Sequence, residues 1–246
     1  MKHSLKTVAY FHGMPGGPGE WAANAPAQLV GKVALPDRNQ PSFDSAGFAA
    51  SLPQGAILIG FSLGAYAALQ VAAAAGERVG ALHLVSPAAP LQLGDFLPQM
   101  QGGKLFWLAA NHPSWFGMVS RAQSWVAWKT PGFMLNRLMS GAAGDDRGLI
   151  RDPAWRAAMA ETLRTGIGFS ATGYVSEIRR YVEDWRDTLA QVQAPVTIWQ
   201  GDADNWTPPA MAQALAKALP GDVTTVMLPG ASHYSALQAA LARIEL

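Results

Sequence analysis

The chain has 246 residues, half of them hydrophobic, enough to bury a sizeable core as one large domain or one domain carrying an insertion, and this excludes a disordered protein. Lys and Arg total 18 against 17 Asp and Glu, so a net charge of +1 supplies no general field for nucleic acid or a membrane surface. The absence of cysteine excludes disulfides and thiolate metal sites, and it fits a cytoplasmic protein.

In chain order, the N-terminal stretch MKHSLKTVAYFHG has too few apolar positions for a signal-peptide core. Within it TVAYF (7–11) reads as a buried strand. It leaves through HGMPGGPGEW (12–21), a loop with four glycines and two prolines that suits a phosphate cradle, a hairpin turn or an oxyanion hole. KVAL (32–35) predicts a second strand and Ser42–Leu52 a helix. The uncharged run 56–76 is long enough to span a bilayer, but no basic flank anchors it. Its β-rich AILIG (56–60), glycine break and alanine-rich end predict a buried strand turning sharply into a buried helix, Leu63–Ala75. ALHLVS (81–86), PVTIWQ (195–200) and VTTVML (223–228) complete a set of apolar runs suited to a parallel sheet covered by helices. Pro208–Leu219 predicts a helix with Thr207 as N-cap, and Tyr234–Ile244 a closing helix.

Between about Pro87 and Asp187 the strand rhythm stops. This tryptophan-rich stretch, interrupted by Gly and Pro, predicts several short helices inserted into the α/β frame. The expected division is a core of 1–87 and 188–246 with a helical cap at 88–187, at least two of whose tryptophans face a pocket.

Gly60-Phe61-Ser62-Leu63-Gly64 fits G-x-S-x-G between a strand and a helix. Such a turn strains the serine backbone, leaves no room for flanking side chains and lifts the hydroxyl clear of the sheet at a helix N-terminus. With this turn the chain resembles the α/β-hydrolase superfamily over nearly all its length outside the cap. That family often begins with two extra antiparallel strands, and with TVAYF coming almost at once these are expected to be missing here. The resemblance implies a Ser62 nucleophile and a basic histidine in a G-x-x-H loop after the last strand. Of His3, His12, His83, His112 and His233, the last stands in such a loop, LPGASHYS. WQGDADNWTP offers Asp202 and Asp204 as the acid, and the family pattern favours Asp204. Its task would be to accept the His233 Nδ1 hydrogen bond. An oxyanion needs two N–H donors, one from Leu63 after the nucleophile and one from the loop after an early strand, where the family aligns Met14. The opening loop has neither the lysine and immediate helix of a phosphate cradle nor a second hairpin strand, so the oxyanion role remains.

The expected chemistry is acyl transfer by a cofactor-independent serine hydrolase, a carboxylesterase acting on a small or medium hydrophobic ester. The alternatives are an amidase resembling proline iminopeptidases, whose HGGPGG loop has Met14 substituted here, a carbon–carbon bond hydrolase, or a non-catalytic small-molecule receptor. An iminopeptidase needs carboxylates for a free amine, and Glu161, Glu177, Glu183 and Asp184 are available. Trp21, Phe61 and Trp206 are the candidate pocket residues. No metal or nucleotide motif is present, so the expected partner is a small-molecule substrate, with no nucleic acid and no membrane.

Overall fold

Five of the six apolar runs form strands of one sheet in the computed structural model, which describes residues 7–40, 42–167 and 171–245; His3 lies outside these. The strands are β1 (Val8–Phe11), β2 (Ala56–Phe61), β3 (Val79–Val85), β4 (Val196–Gly201) and β5 (Val223–Leu228). They lie in the order β1-β2-β3-β4-β5, and every pair is parallel. KVAL, expected as a strand, makes a single bridge, with Tyr10 N donating to Ala34 O at 2.9 Å and Ala34 N to Val8 O at 2.8 Å. A turn at Gly31 (φ +82°) precedes it and Pro36, which has no N–H, closes it.

Side chains alternate across the sheet. Ala9, Phe11, Leu58, Leu82, Leu84 and Ile198 pack on one face, against α2 (Ser45–Ser51), α3 (Gly64–Ala75) and α11 (Pro209–Ala218). Tyr10, Ile57, Ile59 and Phe61 pack on the other, against α1 (Gly19–Asn24) and α12 (His233–Leu241). Both faces are covered, which is why the central strands read as continuous apolar runs. The chain passes outward from β1 to Ala34 and then back across β1 to β2. The direction of winding therefore reverses between β1 and β2, and an open parallel sheet offers its ligand crevice at the carboxyl ends of strands flanking such a reversal. The loop after β1 and the turn after β2 both lie there.

Between β3 and β4 the described residues contain no strand. They form α4 (Gly103–Asn111), α5 (Pro113–Lys129), α6 (Pro131–Leu138), α7 (Asp146–Leu149), α8 (Pro153–Gly166), α9 (Thr172–Val182) and α10 (Arg186–Leu189). Proline opens α5, α6 and α8, where its missing N–H costs no intrahelical bond, and Asp152 caps α8 by accepting from Ala154 N at 2.8 Å. Thr207 does not cap α11, whose N-cap is Pro208. Its hydroxyl is engaged instead at the site described next.

Candidate active site

Ser62 sits at φ +54°, a left-handed conformation that a non-glycine residue adopts only when its surroundings enforce it. Its N–H donates to Val85 O at 3.0 Å, and its carbonyl accepts from Ala65 N at 3.0 Å and Ala88 N at 3.1 Å, tying the turn to β3 and α3. The flanking glycines are sterically required. A Cβ on Gly60 would stand 2.7 Å from Ala65 Cα, and one on Gly64 would run into the Phe11 carbonyl.

Two of the other expected residues meet directly, for Asp204 Oδ2 lies 2.8 Å from His233 Nδ1. The remaining Asp204 oxygen accepts from Trp206 N at 2.8 Å and Thr207 N at 3.0 Å. The Thr207 hydroxyl stands 2.9 Å from Ser86 O and 3.1 Å from Asp204 Oδ2. Asp202 is exposed and accepts from Gly230 N at 2.8 Å, which makes it a loop staple. Burial opposes a charged His233, but the Asp204 carboxylate, assisted by Asp146 and Glu20, outweighs it and holds the imidazole above its ordinary 6.5.

The loop after β1 is braced from beneath. Glu20 Oε1 accepts from Gly13 N at 2.8 Å and from the Tyr10 hydroxyl. The buried Arg38 donates to the His12 carbonyl and to Glu177 on α9. Burial, with Arg38 alongside, pushes His12 down to about 3. It is therefore neutral, donating from Nδ1 to Gly13 O at 2.9 Å, and it fixes the loop. Gly16 and Gly166 meet backbone to backbone, so the loop packs directly on the end of α8. Among the described residues, neither Met14 N nor Leu63 N has a protein acceptor.

Met14, Ser62, Leu63, Trp206 and Thr207 line one cavity of about 90 Å³, roofed by Leu105 and Phe106 of α4, Ser120 and Gln123 of α5, and Met134 and Leu138 of α6. No Asp, Glu, Lys, Arg or His lines it among the described residues. Two of the residues expected at the pocket lie outside this lining. Trp21 is buried against Tyr10, with ring centroids 4.9 Å apart. Phe61 packs on the rings of His233 and Tyr234 and is not among the residues lining the cavity. Nor do the tryptophans of the helical segment line the cavity: Trp107, Trp115, Trp125 and Trp128 are exposed, while Trp155 and Trp185 are buried elsewhere.

Asp146, which the sequence pattern did not single out, is buried at the start of α12. Its carboxylate accepts from Tyr234 N at 3.1 Å, Ser235 N at 2.7 Å and the Ser235 hydroxyl at 2.6 Å, so a residue of α7 holds the turn that carries His233. Among the described residues no cluster of three or more His, Asp or Glu is placed to hold a metal ion, and no helix is long and apolar enough to cross a membrane.

The parallel sheet, the strained serine turn and the ligand crevice at its winding reversal are those of an α/β hydrolase. The sequence model of the family described as serine aminopeptidase, S33, matches residues 48–236, and the chain belongs to that family. No curated protein sequence matches it. Among solved structures, a thermophilic esterase from Thermogutta terrifontis superposes with a TM-score of 0.63 at 19% identity, covering 96% of this chain and 85% of its own. An enol-lactonase from Burkholderia xenovorans gives 0.64 at 17% identity, covering 98% and 90%. A bromoperoxidase from Bacillus anthracis gives 0.64 at 16%, covering 96% and 88%.

Proposed function

We propose that the protein is a cofactor-independent serine carboxylesterase acting on small, uncharged, hydrophobic esters. The observation that carries this reading is the serine turn opening into an apolar cavity beside a buried, hydrogen-bonded Asp204–His233 pair. Ser62 Oγ attacks the ester carbonyl while His233 takes its proton, and Asp204 holds the imidazole by its Nδ1–H and stabilises the imidazolium. The N–H groups of Met14 and Leu63 receive the oxyanion. His233 returns its proton to the departing alcohol, and water then releases the acid from Ser62 by the same steps. The esterase and enol-lactonase among the structural relatives agree with this chemistry by analogy of fold.

An aminopeptidase reading, which the family's description suggests, is disfavoured by the cavity. A free ammonium would enter an apolar space without a carboxylate to pair it. Of the acidic candidates, Glu177 is committed to Arg38 and Arg180, Glu161 to Arg164, and Asp184 to Arg186, while Glu183 is exposed. The cavity's volume, about 90 Å³, falls well below the ~300–1,000 Å³ of drug-sized sites and favours short acyl groups.

A fluorophosphonate probe tests the assignment. It should label the native protein and not Ser62→Ala, and p-nitrophenyl acetate and butyrate should turn over faster than the decanoate. Equal labelling of both proteins, or no turnover above a His233→Ala background, would overturn it.

A further inference from the structure

The outward faces of α4, α5 and α6 carry an aromatic surface. Trp107, Trp115, Met118, Trp125, Trp128 and Phe133 are 40–63% exposed; elsewhere among the described residues only Val30 and Met227 are large hydrophobics exposed to that degree. Helix α5 has an inverted pattern. Phe116, Ser120, Ser124 and Ala127 face inward, whereas Trp115, Met118 and Trp125 recur at helical spacing on the side facing water. An apolar surface of this extent marks a docking site.

The charge of the face identifies the occupant. Residues 96–144 contain Lys104, Arg121, Lys129 and Arg137 and no Asp or Glu, and all four cations are exposed. Lys129 Nζ lies 4.1 Å from the Trp128 ring centroid, and Arg121 shares a shallow depression with Arg179 and Arg180 of α9. The near-neutral balance of the whole chain conceals this local concentration. We propose that the face docks the protein on an anionic lipid bilayer, its indole rings seated at the headgroup boundary and its Lys and Arg toward lipid phosphates. A second copy of the chain suits the face less well. A two-fold contact would bring Arg121 and Lys129 of both protomers together with no carboxylate from this stretch to pair them. The docking stands independently of the esterase assignment, since it uses only the outer side of the helices.

Flotation with vesicles tests it. The protein should float with equal parts phosphatidylcholine and phosphatidylglycerol, not with phosphatidylcholine alone, and should be released as salt rises from about 0.1 to about 0.5 M. Trp115→Ser/Trp125→Ser should weaken binding at least about tenfold, and Arg121→Gln and Lys129→Gln about fivefold each. Melting temperature and any hydrolysis of soluble p-nitrophenyl acetate should stay unchanged in these variants. Failure to bind the mixed vesicles, equal binding to the neutral ones, or variants that bind like the parent would overturn the proposal. A dimer in sedimentation velocity that the Trp115/Trp125 variant dissociates, without vesicle binding, would assign the face to a second copy instead.

Discussion

Replacing Asp146 by Asn isolates what the helical segment contributes to the His233 turn. The buried carboxylate accepts from Tyr234 N at 3.1 Å, Ser235 N at 2.7 Å and Ser235 Oγ at 2.6 Å. Asn has nearly the same shape but one acceptor oxygen, and its NH₂ must face an N–H or hydroxyl that formerly donated. At least one bond is lost, and those remaining lose charge assistance. Hydrogen bonds to charged groups are worth about 1.5–3 kcal/mol each, so a total loss of about 2–3 kcal/mol is expected. For a chain of this size that lowers Tm by about 4–12 °C. A second effect follows from electrostatics. Burial opposes the His233 imidazolium, but Asp204, with Asp146 and Glu20, keeps it above 6.5. A general base must be neutral, so kcat/KM for p-nitrophenyl acetate should rise with pH through a value above 6.5, and Asp146→Asn should move that limb toward acid. The linked stability has the opposite sense: a raised histidine stabilises fully below 6.5, and that contribution fades as pH climbs through its folded value. Calorimetry and a pH–rate profile of both proteins read the two effects separately. A melting temperature within about 1 °C of the parent, with an unmoved acid limb, would refute the reasoning.

The other perturbations separate neighbouring residues. Asp204→Asn removes the acceptor of His233 Nδ1–H and should lower kcat on the order of 10⁴-fold, whereas the exposed Asp202→Asn should change it by no more than about threefold; the reverse order in steady-state kinetics would reassign the acid. Gly166→Ala opposes two effects, since alanine favours α8 by about 1 kcal/mol but its Cβ runs into the Gly16 carbonyl. The close contact should prevail, with a net loss of about 1–3 kcal/mol in urea unfolding, and a gain in stability would refute the packing of loop on helix.

Five of the strands and the strained turn at Ser62 were legible because each depends on local chemistry, whereas Asp204 and His233 were expected only through the resemblance, from a G-x-x-D loop followed by proline and a G-x-x-H loop. An apolar run and a glycine-flanked serine carry their signal within a few positions. KVAL failed because a strand also needs a partner along its length, and only Ala34 reaches β1. The aromatic side chains misled for a different reason. Composition says that tryptophan is costly to expose, yet α5 buries Ser120 and Ser124 and turns Trp115 and Trp125 to water, and Trp21 fills the sheet core beside Tyr10. Asp146 was invisible because its partners at Tyr234 and Ser235 are nearly ninety positions away and no spacing links them. Its only mark was a pair of aspartates in a glycine-rich break, which loops carry for many reasons.

The braces under the loop after β1 limit how this scaffold can be redesigned. Arg38 joins the His12 carbonyl to Glu177, Asn39 Nδ2 donates to Gly16 O at 2.8 Å, and Gly16 abuts Gly166. A chimera that takes its β3–β4 helices from another hydrolase would remove one side of each contact to α8 and α9 while keeping a loop shaped to receive them. Residues 12–18 and 37–39 therefore form an inheritance unit with 153–182, and exchanging them together is the graft that preserves the Met14 backbone.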